Sequence, residues 1–451
     1  MSHSGNNLEM AQRLARLVSE NGGRAYLGGF VRDALLHQEN KDIDIEIHGL
    51  TPHCLEGILD SIGERISIGE SFGIYALKGC SVDIAMPRKE QLRGQGHRDF
   101  DVLVDPFIGT EAAAMRRDFT VNALMQDVLT GEILDHFGGK KDLQAGILRH
   151  VCDTSFAEDP LRVLRCAQFA ARFGFSVAED TVCLCRRMDL SHLSRERVEG
   201  ELKKALLKAD HPSVFFETLR RMEQLDIWFP ELKALIGVQQ NPKYHAEGDV
   251  WNHTMLVLDE AAKLRARAEN PLWFMLAALV HDFGKALATK ESGGTLHAYA
   301  HETDGLPLAE TFLRRITSET KLIRYVLNLT ELHMKPNIAA AANASVKSTN
   351  HLFDQAVDPD GLICLAVADD KGRITCMPSG YQEAFLLERL RIYREYMARP
   401  YVMGRDLIDA GIAPAGDFSE ILAYAHKLRI AGIEKGNALK QKAVILQGRL
   451  V

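Results

Sequence analysis

Residues 26 to 47, YLGGFVRDALLHQENKDIDIEI, constrain the fold of this chain more than any other stretch. Tyr26 and Leu27 make an apolar start, Gly28-Gly29 a turn, VRDALL a helix-like segment and KDIDIEI an extended one. In a strand successive side chains alternate faces, so Asp42 and Asp44 share one face while Ile43 and Ile45 point into a core. Neighbouring carboxylates repel unless a cation sits between them, and their hard oxygens suit magnesium. A Gly-Gly turn lets backbone approach an anion, and the start of the following helix favours phosphate. Two readings stand here. One is a metal pair beside a phosphate cradle, as phosphoryl or nucleotidyl transfer needs; the other is a solvated acidic strand after a glycine turn.

A chain of 451 residues holds two or more domains with ample length for real cores. The longest apolar run, Leu272 to Val280, is too short to span a bilayer. The first twenty residues lack the apolar segment of a signal peptide, and Glu9 and Glu20 argue against a transit peptide, so a cytoplasmic location is expected. Eight scattered cysteines include no CxxC pair, which excludes a zinc ribbon or redox dithiol and fits reduced thiols. A net charge of −7 leaves nucleic-acid binding open, because the basic footprint of such proteins is local.

Leu8, Ala11, Leu14, Leu17 and Val18 recur at helical spacing ahead of Asn21-Gly22-Gly23. After the 26–47 stretch come a helix around 52–62 and strands in ERISIGESFGIYALKG and SVDIAM. Residues 87–115 mix Gly, Pro and basic residues and read as a long, mobile connection. The segments 115–127 and 131–151 return to alternating or turn-rich chain. From about residue 150 nearly everything is helical, as in LRVLRCAQFAARF and RERVEGELKKALLKAD. The later helices are interrupted by NPKYHAEGDV, TKESGGTLHAYAHETDG and Pro-Ser-Gly at 378–380. The architecture expected is α+β, an N-terminal α/β domain with an all-helical remainder.

Three further segments carry chemistry. Asp83, between apolar neighbours in SVDIAM, reads as a surface strand residue or as a third carboxylate for metal or for an attacking hydroxyl. Arg116-Arg117-Asp118-Phe119-Thr120-Val121-Asn122 supplies guanidinium forks suited to a triphosphate, or opens a helix. Glu158-Asp159-Pro160-Leu161-Arg162, with Arg165 and Gln168, starts a helix at Pro160 and presents charge opposite Leu161, Leu164 and Ala167.

GGFVRDALL…DIDIEI, then RRDFTVNAL, then EDPLRVLRCAQFAARFGF, in this order and spacing, resemble class II tRNA nucleotidyltransferases and bacterial poly(A) polymerases over roughly residues 24 to 210. The resemblance implies a polymerase-beta-like nucleotidyltransferase head (1–148), a helical neck (149–210), a body (211–398) and a tail (399–451). It implies that Gly29 and Arg32 contact the nucleotide, that Asp42 and Asp44 bind magnesium, that Asp83 is the third acidic residue and that Arg117 binds the triphosphate. Glu158, Asp159 and Arg162 match the EDxxR motif that reads the incoming base, with Arg165 and Gln168 assisting. Cytosine and adenine each present an amine donor beside a ring-nitrogen acceptor, whereas guanine and uracil present the reverse. An aspartate and an arginine together therefore fit C and A and leave G and U unpaired.

A second constellation lies in the helical half. His253 starts an apolar helix, His281-Asp282 ends the run LAALV, and His297, His301, His333 and Asp369-Asp370 follow. H…HD…D resembles the HD superfamily of metal-dependent phosphohydrolases, implying His253, His281, Asp282 and Asp369 as ligands of a divalent transition metal. His301 and His333 are candidates for a second metal position. The stretch YVMGRDLIDAGIAPAGDFSEILAYAHKLRIAGI resembles the tail of HD-bearing members, and Arg186, Arg187, Arg195, Arg197, Lys203, Lys204 and Lys208 add basic groups around the neck.

The function expected is CCA addition to the tRNA 3′ end from CTP and ATP, with a 2′,3′-cyclic phosphodiesterase or phosphatase in the HD domain. The alternatives are a poly(A) polymerase, disfavoured by the HD pattern and the absence of a basic tail, and an enzyme adding only A or only CC. No membrane and no obligate protein partner is expected.

Overall fold

The computed structural model describes residues 3–38, 43–69, 73–92, 100–375, 381–399, 401–409 and 418–439. It divides into two compact units, residues 1–201 with 214–224, and residues 202–213 with 225 onward.

The first unit is built on alternation. In β2 (Ile43–His48), Ile43, Ile45 and Ile47 are buried while Asp44 is exposed. In β5 (Val82–Ala85), Val82 and Ile84 are buried and Asp83 is exposed. Those apolar side chains form one core cluster with Leu14 and Val18 of helix His3–Glu20 and Leu55 and Leu59 of helix Pro52–Ile62. Burying each such isoleucine stabilises by roughly 1.5–3 kcal/mol. A one-residue slip of β2 would turn all three isoleucines to the polar face, so the register that positions Asp44 is fixed by the core.

The sheet's other strands are β1 (Arg24–Leu27), β3 (Arg65–Gly69), β4 (Ile74–Leu77), β8 (Met125–Asp127) and β9 (Ile133–Leu134), while β6 (Arg88–Leu92) and β7 (Phe100–Val104) form a separate pair. The sheet has the order β3-β4-β5-β2-β1-β8-β9. Only the β2–β5 pair in it is parallel, and it sets Asp44 directly beside Asp83.

The 87–115 segment is not a structureless connection. β6 and β7 pair antiparallel from Arg88↔Val104 to Leu92↔Phe100, and Thr110–Met115 is helical. Gly and Pro punctuate it, but RKEQL and FDVLV pair with each other, which strand-by-strand patterning does not reveal. In the 131–151 segment a short helix, Gly139–Ala145, forms where turns were expected. Asp135 holds its start by accepting the backbone N–H groups of Gly139 and Lys140 at 2.7 and 3.0 Å. Helices Leu161–Phe173, Glu179–Arg186, Arg195–Lys208 and Ser213–Arg221 follow as the periodicity predicts.

The second unit is helical. Helix Pro271–Val280 is apolar on every side and buried from Phe274 to Val280, and helix Pro359–Lys371 is buried from Gly361 to Asp369. Helices Val250–Leu264 and Thr320–Leu332 contribute to the same core. The break after residue 288 contains a hairpin, Lys290–Ser292 with Thr295–His297, turned by Gly293-Gly294. The seven described cysteines are all free thiols. No helix of the described residues is long and apolar enough to cross a membrane.

Candidate active sites

A cleft of about 510 Å³ in the first unit is lined by Gly28, Asp44, Glu46, Asp83, Arg88, Arg116, Arg117 and Arg162. Carboxylates from β2 and β5 and four guanidiniums therefore share one cavity, which suits metal ions together with a polyphosphate. Asp42 lies outside the described residues.

Arg117 reaches across to β2, its Nη2 2.5 Å from Glu46 Oε2. Burial alone would raise the Glu46 carboxyl, but Arg117 and His48 outweigh it and hold it at about 2. Gly28 makes room for that guanidinium, since a Cβ there would stand 3.3 Å from Arg117 Nη1. Glu46 is a residue that sequence reasoning passed over, although it follows Asp44 by two positions and so shares its strand face.

Arg162 lines the cleft while donating to the carbonyls of Ser155 and Arg116 at 2.6 and 2.8 Å. Asp159 caps the helix through Leu161 N–H at 3.0 Å and is gripped by Arg197 at 2.7 and 2.9 Å. Glu158 Oε2 is 3.6 Å from Arg116. Arg165 is spent on Asp118, with Nε and Nη2 at 2.8 and 2.7 Å from Oδ2. Burial would raise the Asp118 carboxyl, yet Arg165 and Asn122 keep it low. Gln168 is buried nearby in the same helix, its amide nitrogen without a hydrogen bond.

The turn residue lining the cleft is Gly28; Gly29 lies one step on, where a Cβ would meet Asp44 Oδ2 at 3.8 Å. Arg32 does not line the cleft. It is buried, bonded to Asp33 and Asn122, with its guanidinium 5.1 and 4.8 Å from the ring centres of Phe169 and Phe173. Asp118 is buried and Arg165 half-buried against it, so Asp118→Ala, which leaves that guanidinium and the Asn122 amide without their acceptor, is expected to destabilise the first unit by about 1–3 kcal/mol, read as a lowered urea midpoint. An unshifted midpoint would show that Arg165 is solvated rather than held.

In the second unit, all the HD residues converge. His253 Nε2 is 3.1 Å from Asp369 Oδ1 and 3.5 Å from Asp282 Oδ2. His281 Nε2 is 3.2 Å from Asp282 Oδ2, and His301 Nε2 is 3.2 Å from Oδ1 of the same carboxylate. His333 Nε2 lies 3.3 Å from His301 Nε2 and 3.8 Å from Asp282 Oδ1. Asp282 thus stands between two groups of imidazoles.

The ring orientations have a shared cause. The Nδ1 atoms of His281, His301 and His333 each meet the carbonyl three residues earlier, Ala278, Ala298 and Thr330, at 2.8, 2.7 and 2.6 Å. Each Nδ1 must donate there, which leaves Nε2 bare for a metal. His281 Nε2 is buried without a hydrogen bond. Ligand atoms about 3 Å apart are what bonds of roughly 2.0–2.2 Å to one ion produce, so the residues present fit a divalent metal. Burial, with His281 and His301 nearby, pushes His333 down to about 3, the neutral form that a ligand needs.

Three supporting residues were missed. Glu247 Oε1 is 3.0 Å from His253 Nδ1 and 2.7 Å from His245 Nδ1, and its other oxygen accepts Ile374 N–H at 2.9 Å. Lys285 Nζ is 2.7 Å from Asp282 Oδ2. Gly284 permits the crossing of the two loops, since a Cβ there would fall 2.0 Å from the His301 carbonyl oxygen. The HDFGK string contained both Gly284 and Lys285; nothing in the pattern around Glu247 marked it.

A multifunctional CCA protein of Pasteurella multocida is 36% identical over 402 residues, 85% of this chain and 91% of that one. The chain belongs to the multifunctional CCA protein family. Its relative from Actinobacillus pleuropneumoniae serotype 5b is 39% identical over 314 residues, 68% of this chain and 74% of the other. Family models agree: the poly A polymerase head domain over residues 25–149, the probable RNA- and SrmB-binding site of polymerase A over 174–236, and the HD domain over 250–371. The fold is shared with a Thermotoga maritima CCA-adding enzyme solved with tRNA, at TM-score 0.66 and 20% identity, covering 97% of this chain and 95% of that one. A CCA-adding enzyme solved with ATP gives TM-score 0.68 at 19% identity over 97% and 93% of the two chains.

Proposed function

We propose that this chain adds the 3′-terminal CCA to tRNA from CTP and ATP, and that its HD centre is a metal-dependent phosphohydrolase acting on phosphate esters of the RNA end. The observation that carries the first activity is the single cleft holding Asp44 and Asp83 in register on adjacent strands together with four arginines. The names of the relatives point the same way.

Asp44 and Asp83, with Asp42, would hold magnesium, which when bound activates the 3′-hydroxyl and neutralises the departing pyrophosphate. Arg117 and Arg116 bind the phosphates of the nucleotide, and Glu46 keeps Arg117 aimed at the Gly28 turn. Asp159 and Arg162 read the base edge, Arg197 holding Asp159 in place. In the HD centre, His253, His281, Asp282 and Asp369 would hold a divalent transition metal, which when bound supplies a water acidic enough to attack phosphorus. His301 and His333 present a second set of metal-ligating nitrogens beside the other Asp282 oxygen. Lys285 steadies the Asp282 carboxylate.

Nucleotide selection tests the first reading. With each triphosphate offered singly, a transcript lacking CCA takes up CTP, a transcript ending in CC takes up ATP, and GTP and UTP are used on neither. Use of UTP as readily as CTP would contradict the Asp159/Arg162 assignment.

A further inference from the structure

A buried carboxylate beside the HD centre lies outside its metal-ligand set. Glu247 precedes helix Val250–Leu264, in a segment where a charged side chain ordinarily faces water, yet its side chain is 1% exposed. Oε1 stands 3.0 Å from His253 Nδ1 and 2.7 Å from His245 Nδ1, and the two rings meet edge to face with centres 4.8 Å apart. Oε2 accepts the Ile374 N–H at 2.9 Å. Both oxygens are therefore committed, one to imidazoles and one to backbone.

Main-chain contacts build the same bridge. Ala246 N–H donates to the Ile374 carbonyl at 3.1 Å, and the Asn252 side-chain amide donates to the Glu247 carbonyl at 3.0 Å. Asn252 precedes His253, and Ile374 follows helix Pro359–Lys371, which carries Asp369. Glu247 thus ties the segment entering one ligand's helix to the segment leaving the other's. On the opposite edge of the ring, His253 Nε2 meets Asp369 Oδ1 at 3.1 Å. Behind His281, His301 and His333 a carbonyl three residues earlier receives Nδ1; behind His253 a carboxylate stands in that place.

We propose that Glu247 is a positioning residue of the HD centre, keeping a proton on His253 Nδ1 so that Nε2 is presented to the metal. The inference rests on the reading of His253, His281, Asp282 and Asp369 as metal ligands, and adds a residue that touches neither the ion nor its substrate. A carboxylate accepts on both sides at once, which an amide of the same size cannot do. With glutamine at 247, one side must face an NH2 group. The Ile374 N–H cannot become an acceptor, whereas an imidazole nitrogen can, so the amide oxygen stays on Ile374 and the NH2 turns to the rings. His253 Nδ1 then accepts, and the ring proton moves to Nε2, the atom a metal needs bare.

The test is Glu247→Gln in the full chain, with manganese or cobalt as the probe and binding followed by calorimetry. Affinity for the ion is expected to fall about 10-fold, while CMP incorporation by the first unit is unchanged. Long-range proton–nitrogen NMR spectra of the metal-free, histidine-labelled protein read the cause: His253 Nδ1 carries a proton in wild type and none in the variant. Unchanged affinity would overturn the proposal. So would weakened affinity with Nδ1 still protonated, which marks a residue that merely supports the fold. A wild-type chain that binds neither ion would count against the metal reading instead. In that event, or if the variant does not fold, the wild-type spectra decide: a protonated Nδ1 supports the role of Glu247 and a bare one overturns it.

Discussion

Asp44→Ala abolishes nucleotide addition, lowering it by at least about 10³-fold, and leaves phosphate release at the HD centre unchanged. The expectation follows from placement. Asp44 is exposed on a strand whose other face is buried, so its side chain holds up none of the core formed by Ile43, Ile45 and Ile47. Its carboxylate stands in register with Asp83 in a cleft with four arginines. Losing one of these carboxylates leaves the guanidiniums, and hence nucleotide binding, largely in place, so kcat should fall far more than KM rises. Single-turnover incorporation of labelled CMP measures it. Retention of even a tenth of the wild-type rate would remove Asp44 from the metal site.

Asp282→Ala does the reverse. Each oxygen of Asp282 faces a different pair of imidazoles, and both stand within 4 Å of their nitrogens. Burial would push this carboxyl up, yet His281 and Lys285 hold it well below the usual carboxylate range. Removing it leaves Lys285 and the histidines without their shared anion, so bound metal should fall at least about 10-fold and phosphate release should vanish. CMP incorporation should persist. Metal analysis after gel filtration, beside both activity assays, separates loss of the ion from loss of the fold. If Asp282→Ala removed transfer as well, the two-site account would be wrong.

Much of the candidate sites could be read from the chain because it is local. The DIDIEI alternation gives the face of Asp44, and the buried run ahead of His281-Asp282 announces an enclosed pair of metal-competent groups. What escaped was set by pairing between distant segments. β6 and β7 look like a loop until each is laid against the other. Arg32 matches a nucleotide-contact position, yet the structure turns it onto Asp33, Asn122, Phe169 and Phe173, partners up to 141 residues away. Glu247 acts through His253 and the Ile374 amide, and carries no signature of its own. Asp42, the other half of the motif, lies outside the described residues.

The most direct measurement is the product formed on a tRNA transcript ending just before CCA, incubated with CTP, ATP and magnesium and resolved at single-nucleotide length. The account predicts one product, three nucleotides longer, ending in C, C and A. No extension, or a long tract of A, would contradict it.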